Sequence, residues 1–294
     1  MPRAAAMRAA WVAIGGNCLL LVLKATATSL SDSLTIFSET LNSLADCLAA
    51  IVIVVFVRWA WMSPDPDHPF GHRRAEPIAG LVVAIFTGIL GFEVCRQNVI
   101  RIWEGRLSEA IGWYPMAALA ATGVIKSGLA VYFARRGRRL DSPALRALSV
   151  DCRNDVLVAA QGLIGVFVAA YKLQILDNIS AFIVGAYILY SGHRIGMENI
   201  DYLMGRAPDA EMLRTIHAAA QRAAGVQYVD NIKAHYVGTF IHVELTAHVD
   251  GELSTTRSHQ VAEAVRDSVE QIDAVSRAFV HIEPVARPFP ATGR

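Results

Sequence analysis

The chain has 294 residues, 54% of them hydrophobic and 18% charged, with a formal net charge of +1. Soluble globular proteins carry about 25% charged residues, so the balance excludes a mainly water-solvated fold and points to lipid. With no basic stripe and no interleaved aromatic pattern, nucleic acid is excluded as a partner.

A membrane-crossing helix needs about 20 predominantly apolar residues. Six stretches meet that need, over 8–28, 33–60, 76–103, 111–134, 144–171 and 175–203. The opening MPRAAAMRAAW runs into the first of them without a small-residue cleavage site, so it reads as a membrane helix and not as a signal peptide. Arginines gather at the N-terminus (Arg3, Arg8), around the second loop (Arg58, Arg73, Arg74) and in the fourth (Arg135, Arg136, Arg138, Arg139). The positive-inside rule then predicts that both termini and the even loops are cytoplasmic. The short N-terminus, with no targeting segment, fits a bacterial inner membrane. Cys18, Cys47, Cys95 and Cys152 lie singly in apolar runs and read as packing residues.

After Met204 the composition changes. Residues 1–204 are therefore expected to form a six-helix transmembrane all-α domain, and 205–294 a soluble α+β domain. In the latter a helix fits PDAEMLRTIHAAAQRA, strands fit VQYVDNIKAHYV and TFIHVELTAHVD, a second helix fits TTRSHQVAEAVRDSVEQI, and a last strand fits AVSRAFVHIEP. This αββαβ order predicts a small sheet with two helices on one face. Ile241, Val243, Leu245 and Ala247 alternate with His242, Glu244, Thr246 and His248, so one strand face is apolar and the other can carry ligands.

Ionisable side chains at membrane depth cost about 2.5–3.5 kcal/mol each on insertion scales, so they imply a partner or a task. In the second span Asn42 and Asp46 are four residues apart, and in the fifth Asp151 and Asp155 repeat the spacing. Each pair lies on one helix face, one turn apart. If the two faces meet, four oxygen-bearing side chains converge, and a divalent cation would relieve the repulsion among three carboxylates. The alternative is pairing of each carboxylate with a buried base, for which Lys24, Lys126, Arg153 and Arg194 are available, although Arg153 points off the shared face. Glu39 lies on roughly the same stripe as Asp46, nearer the outer end. It is a candidate proton acceptor or exit relay, or an outer residue with no role.

The segments SDSLTIFSETLNSLAD, HPFGHRRAE, SPALRALSVDCRND and the terminal VHIEP resemble the cation diffusion facilitator family of metal/proton antiporters, and the likeness covers nearly the whole chain. The resemblance implies a transport site of Asn42, Asp46, Asp151 and Asp155, a homodimer in the bilayer, proton-coupled export from the cytoplasm, and a cytoplasmic domain that binds metal. It implies a loop metal site at Asp65, His68 and His72, for which a solvated turn is the alternative. It also implies a regulatory site among His242, Glu244, His259, His281 and Glu283.

Zinc-transporting relatives typically place histidine where this chain has Asp151, and the present set offers oxygen donors only. Hard oxygen ligands suit manganese, whereas imidazole and thiolate suit zinc and copper. The chain resembles the manganese-transporting branch, so Mn²⁺ is the expected substrate, with Fe²⁺, Zn²⁺ or Co²⁺ as alternatives. A metal-sensing membrane scaffold with little transport is the rival from another class. No Ser/His/Asp order, glycine-rich phosphate loop or HExxH appears, so neither an enzyme nor a catalytic cofactor is expected.

Overall fold

The computed structural model describes residues 2–31, 34–104, 113–170 and 174–285. The chain divides into two compact units, 1–201 and 202–294. The first holds six long helices: α1 (Pro2–Ser31), α2 (Leu34–Ala60), α3 (Ala75–Trp103), α4 (Trp113–Arg139), α5 (Pro143–Ala170) and α6 (Gln174–Leu203). At 1.5 Å per residue every one of them exceeds the roughly 30 Å hydrocarbon thickness. Among the described residues, α1 to α4 also meet the apolarity expected of a membrane span. The fifth helix carries Arg146, Asp151, Arg153 and Asp155 and so dilutes its apolar run, while the side chains at the start of α6 lie outside the described residues.

Two helices run further than the hydropathy pattern predicts. The first begins at Pro2, because the leading residues are rich in alanine, the best helix former. The fourth continues through ARRGRR to Arg139 where a loop is expected. Its arginines sit at a helix C-terminus, where cations interact favourably with the exposed carbonyls. A short connection follows, with Asp141 at φ +48°. Ser142 then starts α5, its hydroxyl accepting from Leu145 N–H at 3.3 Å.

The core of the first unit is rich in alanine, beside larger residues such as Ile53, Phe133 and Leu145, and many large apolar residues face outward. The core alanines include Ala6, Ala9, Ala10, Ala13, Ala50, Ala79, Ala84, Ala130, Ala144 and Ala147. Leu19, Val22, Ile51, Ile85, Ile89 and Phe92 face outward, and Val124 is 75% exposed. In lipid, a Leu or Val gains nothing by leaving the surface, and close helix packing favours small side chains. Exposed Trp59, Trp103 and Trp113 stand at helix ends, where amphipathic aromatics sit at the headgroups. The packing pairs α4 with α5, α1 with α2, α2 with α3, α3 with α5, and α1 with α4. The third and sixth helices approach through glycine: a Cβ added at Gly192 would stand 3.1 Å from Gly88 N, and one at Gly91 2.8 Å from Leu189 N.

The second unit follows the expected αββαβ order: α7 (Ala210–Gln221), β1 (Tyr228–Val237), β2 (Phe240–Asp250), α8 (Thr255–Glu270) and β3 (Val275–Val285). Asp209 accepts from Met212 N–H to cap α7, and Ser254 accepts from Arg257 N–H to cap α8. Gly238, at φ +64°, supplies the left-handed position of the tight β1–β2 turn. The sheet order is β1-β2-β3, antiparallel between β1 and β2 and parallel between β2 and β3. That parallel pairing requires the crossover through α8. Ile241, Val243, Leu245, Ala247 and Val249 pack against Ile216 and Ala220 of α7 and Val261, Val265 and Val269 of α8.

The opposite face of β2 departs from simple alternation at one end. Thr246 and His248 are buried along with the apolar residues. The His248 ring stacks on Tyr228 at 4.0 Å between centroids, and its Nε2 lies 3.2 Å from Asp230 Oδ2. His248 is thus held in the sheet, whereas Glu244 is exposed.

Candidate metal centre

The two N/D-xxx-D pairs sit near the middle of their helices. Asp46 and Asp155 each stand about 18 Å from the first residue of α2 and α5, at 1.5 Å per residue. Asp46, Asp151 and Asp155 meet, each offering one carboxylate oxygen within 4.8 Å of the others. At that separation two carboxylates repel by about 3 kcal/mol at an effective dielectric near 20, so the arrangement demands positive charge. Asn42 lies one turn before Asp46 on α2 and is half-buried. Arg153, between the two aspartates of α5, is exposed and takes no place in the cluster, as its position on the helix requires.

Three other helices support this cluster. From α4, the Lys126 side chain, 2% exposed, brings Nζ to 2.8 Å from Asp46 Oδ2 and 2.5 Å from Asp155 Oδ2. The contact with Asp46 is a hydrogen bond donated by the ammonium, and that with Asp155 is an ion pair. From α3, the fully buried Thr87 donates its hydroxyl to Asp151 Oδ1 at 3.1 Å. From α1, Asn17 Nδ2 donates to the Asp46 carbonyl at 3.1 Å and so ties α1 to the turn of α2 that carries Asp46. Both arrangements that the sequence allows therefore coexist: the carboxylates converge, and one buried base pairs with two of them. The sequence pattern names Lys126 only as one of four possible bases and does not reveal Thr87. Their signal is a polar residue inside an apolar span, without the i,i+4 repeat that marks the ligands.

Three carboxylates with oxygen donors thus converge between α2 and α5, with Asn42 one turn away on α2, a donor set of the kind that suits a divalent cation. The thiols do not join them. Cys47 Sγ lies 4.0 Å from Cys18 Sγ, and Cys47 and Cys152 are both buried without a disulfide. Glu39 belongs to α2, but its side chain lies outside the described residues.

A second cluster forms between α2 and α3, where Asp65, His68 and His72 bring ligand atoms within 4.8 Å of one another. Asp65 Oδ1 accepts from His68 N–H at 2.6 Å and lies 3.1 Å from His68 Nδ1, while Oδ2 lies 3.2 Å from His72 Nε2. Gly71, at φ +80°, turns the chain so that the two imidazoles come to 4.4 Å between centroids. Desolvation pulls the Asp65 pKa upward, but the hydrogen bonds from His68 and the charge of the two imidazoles outweigh it, so the carboxyl lies below its ordinary value. Beside it the Arg73 guanidinium lies 3.8 Å over the Trp61 ring, anchoring the loop to the end of α2.

The five residues expected to bind metal in the second unit do not meet within one chain. His242 faces His235 across β1 and Arg277 across β3, and Glu244 faces Lys233 and Phe279. His281 stands opposite Thr246 and Glu283 opposite His248. His281 is thus displaced from Glu244 by about 7 Å and from His242 by about 13 Å along the strands, at 3.3 Å per residue. His259 is on α8, which covers the other sheet face, and its Nε2 lies 3.7 Å from Glu263. Among the described residues of this unit no three ligand side chains converge.

A family model described as the cation efflux transmembrane domain matches residues 10–204. One described as the cation efflux protein cytoplasmic domain matches residues 208–285. An uncharacterized transporter of Methanocaldococcus jannaschii is 31% identical, over 93% of this chain and 96% of its own. Two manganese efflux system proteins of Bacillus subtilis, MneS and MneP, are each 26% identical. Both alignments cover 94% of this chain, with 94% of MneS and 95% of MneP.

Proposed function

Because the chain belongs to the cation efflux family, also called cation diffusion facilitators, we propose that it exports Mn²⁺ from the cytoplasm in exchange for protons, binding the ion at Asn42, Asp46, Asp151 and Asp155. The observation that carries this reading is the meeting of Asp46, Asp151 and Asp155 at mid-depth between α2 and α5. The all-oxygen donor set favours a hard ion, and the relatives named for manganese efflux support the same choice.

In this mechanism Mn²⁺ enters from the cytoplasmic side, and the carboxylates hold it by charge. The helices then rock to open the centre outward. Protons arriving there neutralise the aspartates and release the ion, so metal and proton share one set of groups. The loop cluster of Asp65, His68 and His72 would capture metal ahead of transport. The soluble unit would pair two copies of the chain and bind metal through His242, Glu244, His259, His281 and Glu283. The arginine-rich ends and even loops support a bacterial inner-membrane orientation with both termini in the cytoplasm.

Flux into proteoliposomes under an imposed pH gradient tests the proposal. Mn²⁺ should move faster than Fe²⁺, Zn²⁺ or Co²⁺, and Asp46→Ala and Asp155→Ala should each abolish transport. Normal flux in either variant would sink the site assignment. Asp151→His, which adds an imidazole, should shift preference toward Zn²⁺. If the unaltered protein already prefers Zn²⁺, the oxygen-donor argument for manganese is wrong.

A further inference from the structure

Lys126 is unusual among the groups at the carboxylate centre, because it bears the same sign of charge as the substrate. Its side chain is 2% exposed, and its Nζ contacts Asp46 Oδ2 and Asp155 Oδ2, one carboxylate from each of the two ligand helices. Those are two of the three carboxylates that meet within 4.8 Å. The ammonium is delivered by α4, which packs against α5 and α1 and supplies no ligand. The centre is therefore already occupied by a cation that belongs to the protein.

We propose that Lys126 is a tethered counter-cation that competes with the substrate for Asp46 and Asp155, and that it thereby lets a divalent ion in while turning monovalent ions away. The inference rests on the transport-site reading above. Oxygen ligands hold transition-metal ions at about 2.0–2.2 Å. An ion so bound to these carboxylates would crowd an ammonium that now lies 2.5–2.8 Å from two of their oxygens. Because the ion and the ammonium are of like charge and share two carboxylates, substrate binding favours displacement of the ammonium.

Valence selection follows from that exchange. A sodium or potassium ion brings no more charge than the lysine it would displace, and the lysine has the advantage of attachment, which keeps its effective concentration high. A divalent ion brings twice the charge and gains with each of three carboxylates. Release is helped in the same way, since the ammonium waits beside the site and takes up whichever carboxylate the incoming protons leave ionised. The cost is affinity, because every binding event must first break the Lys126 contacts.

The test uses the full chain, with Mn²⁺ binding measured on detergent-purified protein and flux measured in proteoliposomes. Lys126→Gln should lower both the Kd and the KM for Mn²⁺ by about tenfold or more while slowing turnover, and should make binding sensitive to Na⁺ at concentrations without effect on the unaltered protein. A folded Lys126→Gln protein with unchanged or raised Kd overturns the proposal and leaves Lys126 as a structural counter-ion. Lys126→Arg, which keeps the charge, is the second arm. A guanidinium gripping both carboxylates with its fork is harder to displace, so its Kd should rise, and an unchanged Kd counts against the proposal. The two readings fail separately. Asp46→Ala and Asp155→Ala binding Mn²⁺ normally would refute the transport site itself, whereas loss of binding in those variants with no tightening in Lys126→Gln refutes only the competition.

Discussion

Thr87 orients one of the proposed ligands without being one itself. Fully buried in α3, its hydroxyl donates to Asp151 Oδ1, which fixes the orientation of a carboxylate on a different helix. Removing a partner of this kind from a metal ligand typically costs 10–100-fold in affinity. Thr87→Val keeps the shape and deletes the donor, so it should raise the Mn²⁺ Kd by about tenfold, while Thr87→Ser should restore it. Calorimetric titration of the purified protein checks this, and a Val variant that binds normally would make Thr87 a packing residue only. The convergence of Asp46, Asp151 and Asp155 could be anticipated from the sequence because Asn42 with Asp46 and Asp151 with Asp155 each repeat within one helix, where spacing alone determines the shared face. Thr87 and Lys126 were not legible in the same way. Their roles depend on which helices neighbour α5, and a single residue in an apolar span carries no record of the helix opposite.

At the scale of elements, the contact of α3 with α6 depends on glycines that are not interchangeable. A Cβ at Gly91 would meet backbone on α6 at 2.8 Å, whereas one at Gly88 has nothing within 4 Å. Alanine in a helix interior gains about 1 kcal/mol over glycine, and overpacking costs about 1–3 kcal/mol. The signs therefore differ: Gly88→Ala should be neutral or stabilising, and Gly91→Ala destabilising. Thermal unfolding in one detergent compares them directly, and equal melting temperatures would mean that the helices separate without cost. Helix positions followed from apolar run length, but the ends did not. The ARRGRR segment reads as a loop by hydropathy yet extends α4 to Arg139, because charge favours a helix end as readily as a loop. In the second unit, period-two alternation located β2, and its failure at His248 traces to a tertiary contact: the Tyr228 ring covers His248.

At the scale of the whole molecule, the second unit carries ligand-type residues that do not converge within one chain. His242 and Glu244 lie on the sheet face away from the helices, His281 stands further along the strands opposite Thr246, and His259 rides on α8 over the other face. The local pattern identified ligand-type residues but not a site, since strand register and helix placement decide which of them meet. A metal ion held there by several of these residues would take donors from a second copy of the chain, in keeping with the homodimer proposed for this family member. The prediction is made with the transport centre silenced by Asp46→Ala and Asp155→Ala together, so that remaining Mn²⁺ binding reports the rest of the protein. Equilibrium dialysis should then show binding that weakens as the protein is diluted toward monomer. His242→Ala with His281→Ala should reduce it, and the Asp65→Ala variant should leave that dilution dependence intact while removing any contribution from the loop. Residual binding that stays constant on dilution and survives the histidine changes would mean that a single chain suffices. The metal outside the membrane would then belong to the Asp65–His68–His72 loop, the one such cluster among the described residues that a single chain already assembles.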